Sequence, residues 1–119
     1  MTTTVDIMQA LDENDHVAES YVLVREIFLY LKISDSDFSP RIRIKIYQSN
    51  VLTEPFHFDV SHHVHTPVQG APYRTSVTSA PSEKEAIRRA IDTTRSYIVS
   101  AINEGHMPRD SWLKKNDDF

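Results

Sequence analysis

Cysteine is absent from this 119-residue chain, and glycine occurs only twice. The lack of cysteine excludes disulfide bonds, thiolate nucleophiles, zinc ribbons and iron–sulfur clusters. Because Gly70 and Gly105 stand alone in the sequence, no glycine-rich loop is present to hold the phosphates of a nucleotide. So few glycines also disfavour a fold of many tight hairpins, since their turns favour residues that adopt a positive φ.

Long hydrophobic runs are also missing. No stretch approaches the ~18 apolar residues of a membrane-spanning helix, and residues 1–14 lack the basic start and apolar run of a secretory signal. We therefore expect a soluble, cytoplasmic protein with no membrane partner, and the lack of cysteine suits a reducing compartment. The length predicts a single domain, residues 1–119, with 1–14 and 106–119 as flanking segments.

The chain has a small excess of acidic residues, with a net charge of −4, which argues against a general nucleic-acid binder. The charge is unevenly distributed. Residues 1–39 carry eight acidic and two basic residues, residues 40–79 carry two acidic and four basic residues, and residues 80–119 carry seven of each. Only the middle segment is positive, so any surface that contacts an anion is predicted there.

The clearest predicted element is a helix that follows Pro81 and ends near Gly105. Ser82 is a good N-cap, and Glu85, three residues later, can complete a capping box by reaching back to the Ser82 amide. Gly105 suits the position just after the last turn. Apolar and small residues recur every three or four positions and predict the buried side of this helix: Ile87, Ala90, Ile91, Thr94, Ile98, Ala101 and Ile102.

Residues 17–33 are harder to assign. Val17, Tyr21, Val24, Phe28 and Leu31 fit one face of a helix. The segment is also rich in β-branched and aromatic residues, so residues 21–33 could instead form a strand. Its length favours a helix, because strands this long are uncommon. A further short helix is predicted around residues 4–11.

Three strands are predicted between the helices, from the alternation of apolar and polar residues. In residues 41–47 the isoleucines occupy one face, and Arg41, Arg43, Lys45 and Tyr47 occupy the other. Residues 55–65 alternate too, and residues 73–79 do so more weakly. The fold class is α+β, a three-stranded antiparallel sheet with two main helices on one face, in the order α-β-β-β-α. Four apolar residues are expected to fold the C-terminal tail back onto the domain or onto a partner: Met107, Trp112, Leu113 and Phe119.

Four of the six histidines fall within residues 56–67. On a strand, His63 and His65 point the same way and could form half of a metal site. His57 lies on the same predicted face but farther along, whereas His62 is predicted on the apolar face with Phe58 and Val60. Because zinc sites need at least three protein ligands, and the third is not evident, we expect ordinary polar side chains here and no cofactor; a divalent metal is the alternative.

The predicted row Arg41, Arg43, Lys45 and Tyr47, together with Arg74, is the best candidate for a binding face. Arginine and lysine could contact phosphate and Tyr47 could stack on a base. The order of elements is similar in outline to the double-stranded-RNA-binding fold. That family's second helix opens with lysines that face phosphate, whereas this chain has Glu83, Lys84 and Glu85 there.

Three functions follow, in order of preference. The first is a small binding or regulatory module that associates with itself, because a three-stranded sheet leaves two edges and one face uncovered. The second is a metal-binding protein that uses His63 and His65, and the third is a nucleic-acid-binding module that uses the basic face. We do not expect an enzyme, since Asp59, Ser61 and His63 on one strand cannot present a nucleophile to a base.

Overall fold

The computed structural model describes residues 1–51 and 53–119 and has a mixed α+β fold. The elements, in chain order, are α1 (Thr4–Asp12), β1 (Tyr21–Tyr30), β2 (Arg41–Ser49), β3 (Phe56–Val60), β4 (His62–Val64), β5 (Ser79–Ala80), α2 (Glu83–Asn103), a short 3-10 helix (Asp110–Trp112) and β6 (Leu113–Lys115). The main antiparallel sheet has the order β1-β2-β3-β5, and β4 pairs with β6 in a second, two-stranded sheet.

The core lies between α2 and one face of the main sheet. Ile42, Ile44 and Ile46 of β2 are completely buried, as predicted by their alternation with charged residues. The helix presents mainly small side chains to them, which lets its backbone approach the sheet closely. The buried residues of α2 are Ala86, Ala90, Thr94, Ile98 and Ala101. The predicted stripe is therefore correct in direction, although Ile87, Ile91 and Ile102 lie at its margins and are only partly buried.

The ends of α2 also follow from local sequence. Ser82 accepts a hydrogen bond from the Glu85 amide, as an N-cap should. The predicted second half of the capping box is replaced: the Glu85 carboxylate accepts hydrogen bonds from Arg88 and Arg89 instead. At the other end Gly105 has φ +91°, a conformation that favours glycine, and its amide donates to Ile102 O.

The predicted helix over residues 17–33 is wrong, because residues 21–30 form β1. The sheet therefore has four strands instead of three, and the first helix of the fold is the short α1, which a capping box of Thr3 and Asp6 begins. A β-bulge explains the error. Val24 has no residue opposite it on β2, since Leu23 lies opposite Tyr47 and Arg25 opposite Ile46. The extra residue interrupts the two-residue alternation and creates the three- and four-residue spacings of a helix.

Two further strand predictions need correction. Residues 55–65 do not form one strand, since the chain leaves the main sheet at the buried Ser61 and continues as β4 in the second sheet. Residues 73–79 were expected to pair as a strand, but only Ser79 and Ala80 do so. The C-terminal tail returns to the domain as predicted, with Trp112 buried and β6 paired to β4. Met107 stays exposed.

Candidate functional site

The face of the main sheet that points away from α2 is called the open face. Directly opposed residues on antiparallel strands share a face, so the pairing of β1, β2 and β3 identifies its members. They are Tyr21, Leu23, Glu26, Phe28 and Tyr30 of β1; Arg41, Arg43, Lys45, Tyr47 and Ser49 of β2; and His57 and Asp59 of β3. The predicted row of Arg41, Arg43, Lys45 and Tyr47 thus lies together on this face, whereas Arg74 does not.

Large apolar side chains are exposed along β1. Tyr21, Leu23, Phe28 and Tyr30 are 50%, 49%, 60% and 62% exposed, and all four belong to the open face. In this apolar row they form two pairs, Tyr21 with Leu23 and Phe28 with Tyr30, on either side of Glu26, and exposed apolar side chains grouped in this way often mark a contact site in soluble proteins. The same strand is an edge of the main sheet and pairs only with β2 in the described part of the chain.

The cations of the open face already have partners within the chain. Arg43 donates to Glu26 at 2.9 Å, and the guanidinium carbon of Arg41 lies 4.5 Å from the centre of the Phe28 ring. Lys45 Nζ donates to the carbonyl oxygen of Phe119 at 2.8 Å and lies 4.2 Å from the centre of its ring. Each of these contacts competes with binding of an external anion, because the anion would have to displace or share the partner.

The polar groups at the far end of the open face form a small network. His57 Nε2 and Ser49 Oγ are 2.9 Å apart, and the rings of Tyr21 and His57 meet edge to face with their centres 5.1 Å apart. This network joins β1 to β3 across β2. It fixes the orientation of Tyr21 and therefore the start of the exposed apolar row.

A separate cavity of about 280 Å³ lies at the outer edge of β3, where β5 ends. Its lining includes Asp59, His62, His63, Arg74 and Asn116. Asn116 Nδ2 donates to Asp59 Oδ1 at 3.0 Å and to the carbonyl oxygen of Val60 at 2.8 Å, so the tail closes one side of the cavity. Arg74 is thus a residue of this cavity because residues 73–78 leave the sheet instead of pairing with it.

The two histidines of the cavity, His62 and His63, both have a pKa below the ordinary value. The pKa of His63 is lowered, first by burial and next by the positive charge of Arg74, although Asp59 acts in the opposite direction. Burial also lowers the pKa of His62, with smaller effects from His63 and Lys115. His62 is half-buried, and its Nδ1 lies 2.8 Å from Ser61 Oγ; it belongs to β4, because β3 ends at Val60.

The three histidines named as metal candidates lie in three different surroundings. His57 contacts Ser49, His63 lines the cavity, and His65 Nε2 lies 3.3 Å from the carbonyl oxygen of Gln69. Across residues 1–51 and 53–119, no group of three or more histidine, aspartate, glutamate or cysteine side chains is arranged to hold a metal ion. The pairing of His63 with His65 is lost because β4 ends at Val64.

The sequence did not mark the exposed row. Residues 21–24 and 27–30 are apolar at every position, so they suit a strand but carry no alternation with polar residues that would identify the exposed face. The face follows only from the pairing with β2 and the bulge at Val24.

Among the described residues, no helix combines the length and the apolar composition needed to cross a bilayer. No protein-family model, no curated protein sequence and no solved structure matches this chain.

Proposed function

We propose that this chain is a small binding module that associates with itself through β1 and the adjacent part of the open face. The observation that carries the proposal is the row of Tyr21, Leu23, Phe28 and Tyr30 on an edge strand. A ten-residue edge strand without proline or lysine is a template for pairing with another strand. The proposed compartment is the cytoplasm, since a chain without cysteine needs no oxidising environment.

The shape of the chain supports an interaction at the β1 side. Its radius of gyration is 16.8 Å and its extents are 55 × 29 × 24 Å. A compact domain of this length has a radius of gyration of roughly 13.5 Å. An elongated chain buries less of its own apolar surface, and pairing with a second copy can bury part of what remains.

The alternatives gain less support from the contacts. For nucleic-acid binding, Arg41, Arg43 and Lys45 would have to exchange their partners within the chain for phosphate. For metal binding, a third ligand would have to join His63 or His65. The apolar row needs less rearrangement, because each of its four side chains stays about half exposed or more even where Phe28 contacts Arg41 and Tyr21 contacts His57.

A charge placed in the row tests the proposal. We expect Leu23→Lys to shift the protein toward monomer, because a lysine on an edge strand opposes pairing with another strand and each interface would contain two of them. The measurement is sedimentation velocity over a range from low micromolar to several hundred micromolar protein. A wide range is needed because an edge contact can bury less than about 1,200 Å², the range of weak complexes.

The matched control is Val77→Lys. Val77 is 54% exposed, close to the 49% of Leu23, but lies outside the main sheet in the segment before β5. Both variants add one positive charge at an exposed apolar position. The proposal requires that only Leu23→Lys weakens association, with unchanged circular dichroism for both. Equal effects of the two variants, or none from Leu23→Lys, would count against it.

A further inference from the structure

We infer that β1 pairs antiparallel with β1 of a second copy in one register, with Tyr21 opposite Tyr30 and Leu23 opposite Phe28. This inference rests on the proposed self-association and adds the arrangement of the two copies. The two four-stranded sheets would then join into one sheet of eight strands across a twofold axis. The axis would pass between Arg25 and Glu26.

The first step is to establish which backbone groups of β2 face β1. The Ser61 amide donates to Arg43 O at 2.9 Å and the Ser49 amide donates to Pro55 O at 2.7 Å. The backbone amide and carbonyl groups of Arg43 and Ser49 are therefore directed toward β3. These groups alternate between the two neighbours along a strand, so residues 42, 44, 46 and 48 face β1.

The pairing of β1 with β2 then separates the residues of β1 into two sets. Those opposite residues 42, 44, 46 and 48 direct their amide and carbonyl groups inward, toward β2: Val22, Arg25, Ile27 and Leu29. The others that have a residue opposite them direct these groups outward, to the edge of the sheet: Tyr21, Leu23, Glu26, Phe28 and Tyr30. The outward set and the open-face residues of β1 are the same five residues.

The bulge at Val24 changes which registers are allowed. Before it the outward residues have odd numbers, 21 and 23; after it they have even numbers, 26, 28 and 30. In an antiparallel pair, outward residues must lie opposite outward residues for the backbone hydrogen bonds to form. The first half of one β1 can therefore pair with the second half of another in a register that a regular strand would not allow.

One register brings both halves into phase, uses the whole length of β1 and places apolar residues opposite apolar residues on both sides of the axis. It places Tyr21 opposite Tyr30 and Leu23 opposite Phe28 as hydrogen-bonded pairs on the open face. It places Val22 opposite Leu29 and Val24 opposite Ile27 on the face that α2 covers. Apolar side chains thus meet apolar side chains on both faces, and the twofold axis repeats every contact. A shift by two residues, with Tyr21 opposite Phe28, also keeps the halves in phase, but it places Leu23 opposite the charged Glu26 and leaves Leu29 and Tyr30 without a residue opposite them.

Registers that place a residue opposite the same residue of the second copy pair fewer residues of β1. With Phe28 opposite Phe28, only residues 26–30 stay in phase, because the bulge puts the first half out of phase. With Leu23 opposite Leu23, residues 22–24 stay in phase. The proposed register keeps eight residues of each β1 in phase, residues 21–24 and 27–30, and only the central Arg25 and Glu26 are mismatched.

The charges at the centre of β1 do not oppose this pairing. Arg25 forms an ion pair with Glu83 at the start of α2, and Glu26 forms one with Arg43 on β2. Each charge near the axis is therefore balanced within its own chain. The two copies bring no unpaired like charges together there, which is the usual obstacle to edge pairing.

The absence of cysteine makes a disulfide test of the register clean. Two single variants are prepared, Leu23→Cys and Phe28→Cys, and one of them is isotope-labelled so that mass spectrometry distinguishes a mixed disulfide from a disulfide between identical chains. The mass of each variant in solution under reducing conditions shows whether it still associates. They are then oxidised separately and as an equal mixture. Hydrogen-bonded antiparallel pairs have Cα atoms about 5.5 Å apart, which lies within the range for disulfides.

We expect the mixture to form the Leu23→Cys with Phe28→Cys disulfide several-fold faster than either variant links to itself. Val77→Cys mixed with each variant gives the background rate. Faster linkage of Phe28→Cys to itself, in a protein that still dimerises, would overturn this register and leave the proposed function in place. A protein that stays monomeric at every concentration would overturn both.

Discussion

The imidazole of His63 lies in the cavity beside β3, where the positive charge of Arg74 and burial both lower its pKa. We expect Arg74→Gln to raise that pKa, because the protonated ring would no longer meet a neighbouring cation. The measurement is the pH titration of the His63 ring signals by NMR. Lys115→Gln is the control: it also removes one positive charge, but it should raise the pKa of His62, because Lys115 lowers that pKa. An unchanged His63 titration in Arg74→Gln would place Arg74 away from the ring.

The sign of the stability effect follows from the same shift. The folded-state pKa of His63 lies below the unfolded value of about 6.5, so the unfolded chain binds a proton more readily. Stability is therefore lost as the pH falls through about 6.5 toward the folded pKa. Arg74→Gln should weaken this loss.

Glu85, at the start of α2, gives a second test of the same sign at lower pH. Its pKa is lowered from 4.5 to about 2, chiefly by hydrogen bonds from Arg88 and also by Arg89. A carboxylate with a lowered folded pKa stabilises the protein above the unfolded value, and this is lost as the pH falls from 4.5 toward about 2. The difference in unfolding free energy between the wild type and Glu85→Gln should shrink over that range.

The Glu85 effect should also shrink in high salt, because solvent screens an exposed ion pair. Asp117→Asn is the control, an exposed carboxylate on the tail. A wild-type advantage over Glu85→Gln that persists unchanged at pH 2 would contradict the role of the carboxylate charge.

At the scale of single residues, the sequence predicted positions well where alternation was regular. Arg41, Arg43, Lys45 and Tyr47 share one face, as the alternating isoleucines between them required. Their role in binding stays a prediction. The prediction that Arg74 shares this face is wrong, since residues 73–78 lie outside the strands and Arg74 lines the cavity beside β3. The contact of Lys45 with Phe119 was not predicted, since it joins residues 74 positions apart. Alternation within one strand carries no information about such a distant contact.

Among the elements, α2 offers the sharpest test of packing. Ile98 is completely buried against the sheet, so Ile98→Ala should lower the unfolding free energy. A large-to-small change of this kind costs about 2–4 kcal/mol, since it leaves a cavity. Lys84→Ala, on the exposed side of the same helix, should change it by about 0.5 kcal/mol or less. Denaturant unfolding measures both, and equal midpoints would contradict the assignment of the buried side.

The two elements α2 and β1 show what local sequence can and cannot predict. In α2 the cap at Ser82, the apolar spacing and Gly105 agree with one another, and each acts within a few residues. In β1 the decisive facts are the pairing with β2 and the bulge at Val24. Both depend on a strand that begins eleven residues after β1 ends, so spacing alone favoured a helix.

For the whole molecule, the presence of β1 in the sheet changes which strand is offered to a partner. A three-stranded sheet with β2 at its edge would present a basic strand to a partner. The observed sheet presents β1, with the four exposed side chains of the apolar row and no net charge of its own. The most exposed edge of the molecule is therefore apolar, which is the basis of the proposed self-association.

The mass of the unmodified protein in solution tests that claim most directly. One chain has a mass of 13.7 kDa, and sedimentation equilibrium from low to several hundred micromolar protein gives the average mass without reference to shape. We expect the average mass to rise with concentration toward twice the chain mass and to stop there, because pairing β1 with β1 uses up the edge. A mass that stays at one chain throughout, or that grows beyond two chains without limit, would contradict the proposed dimer.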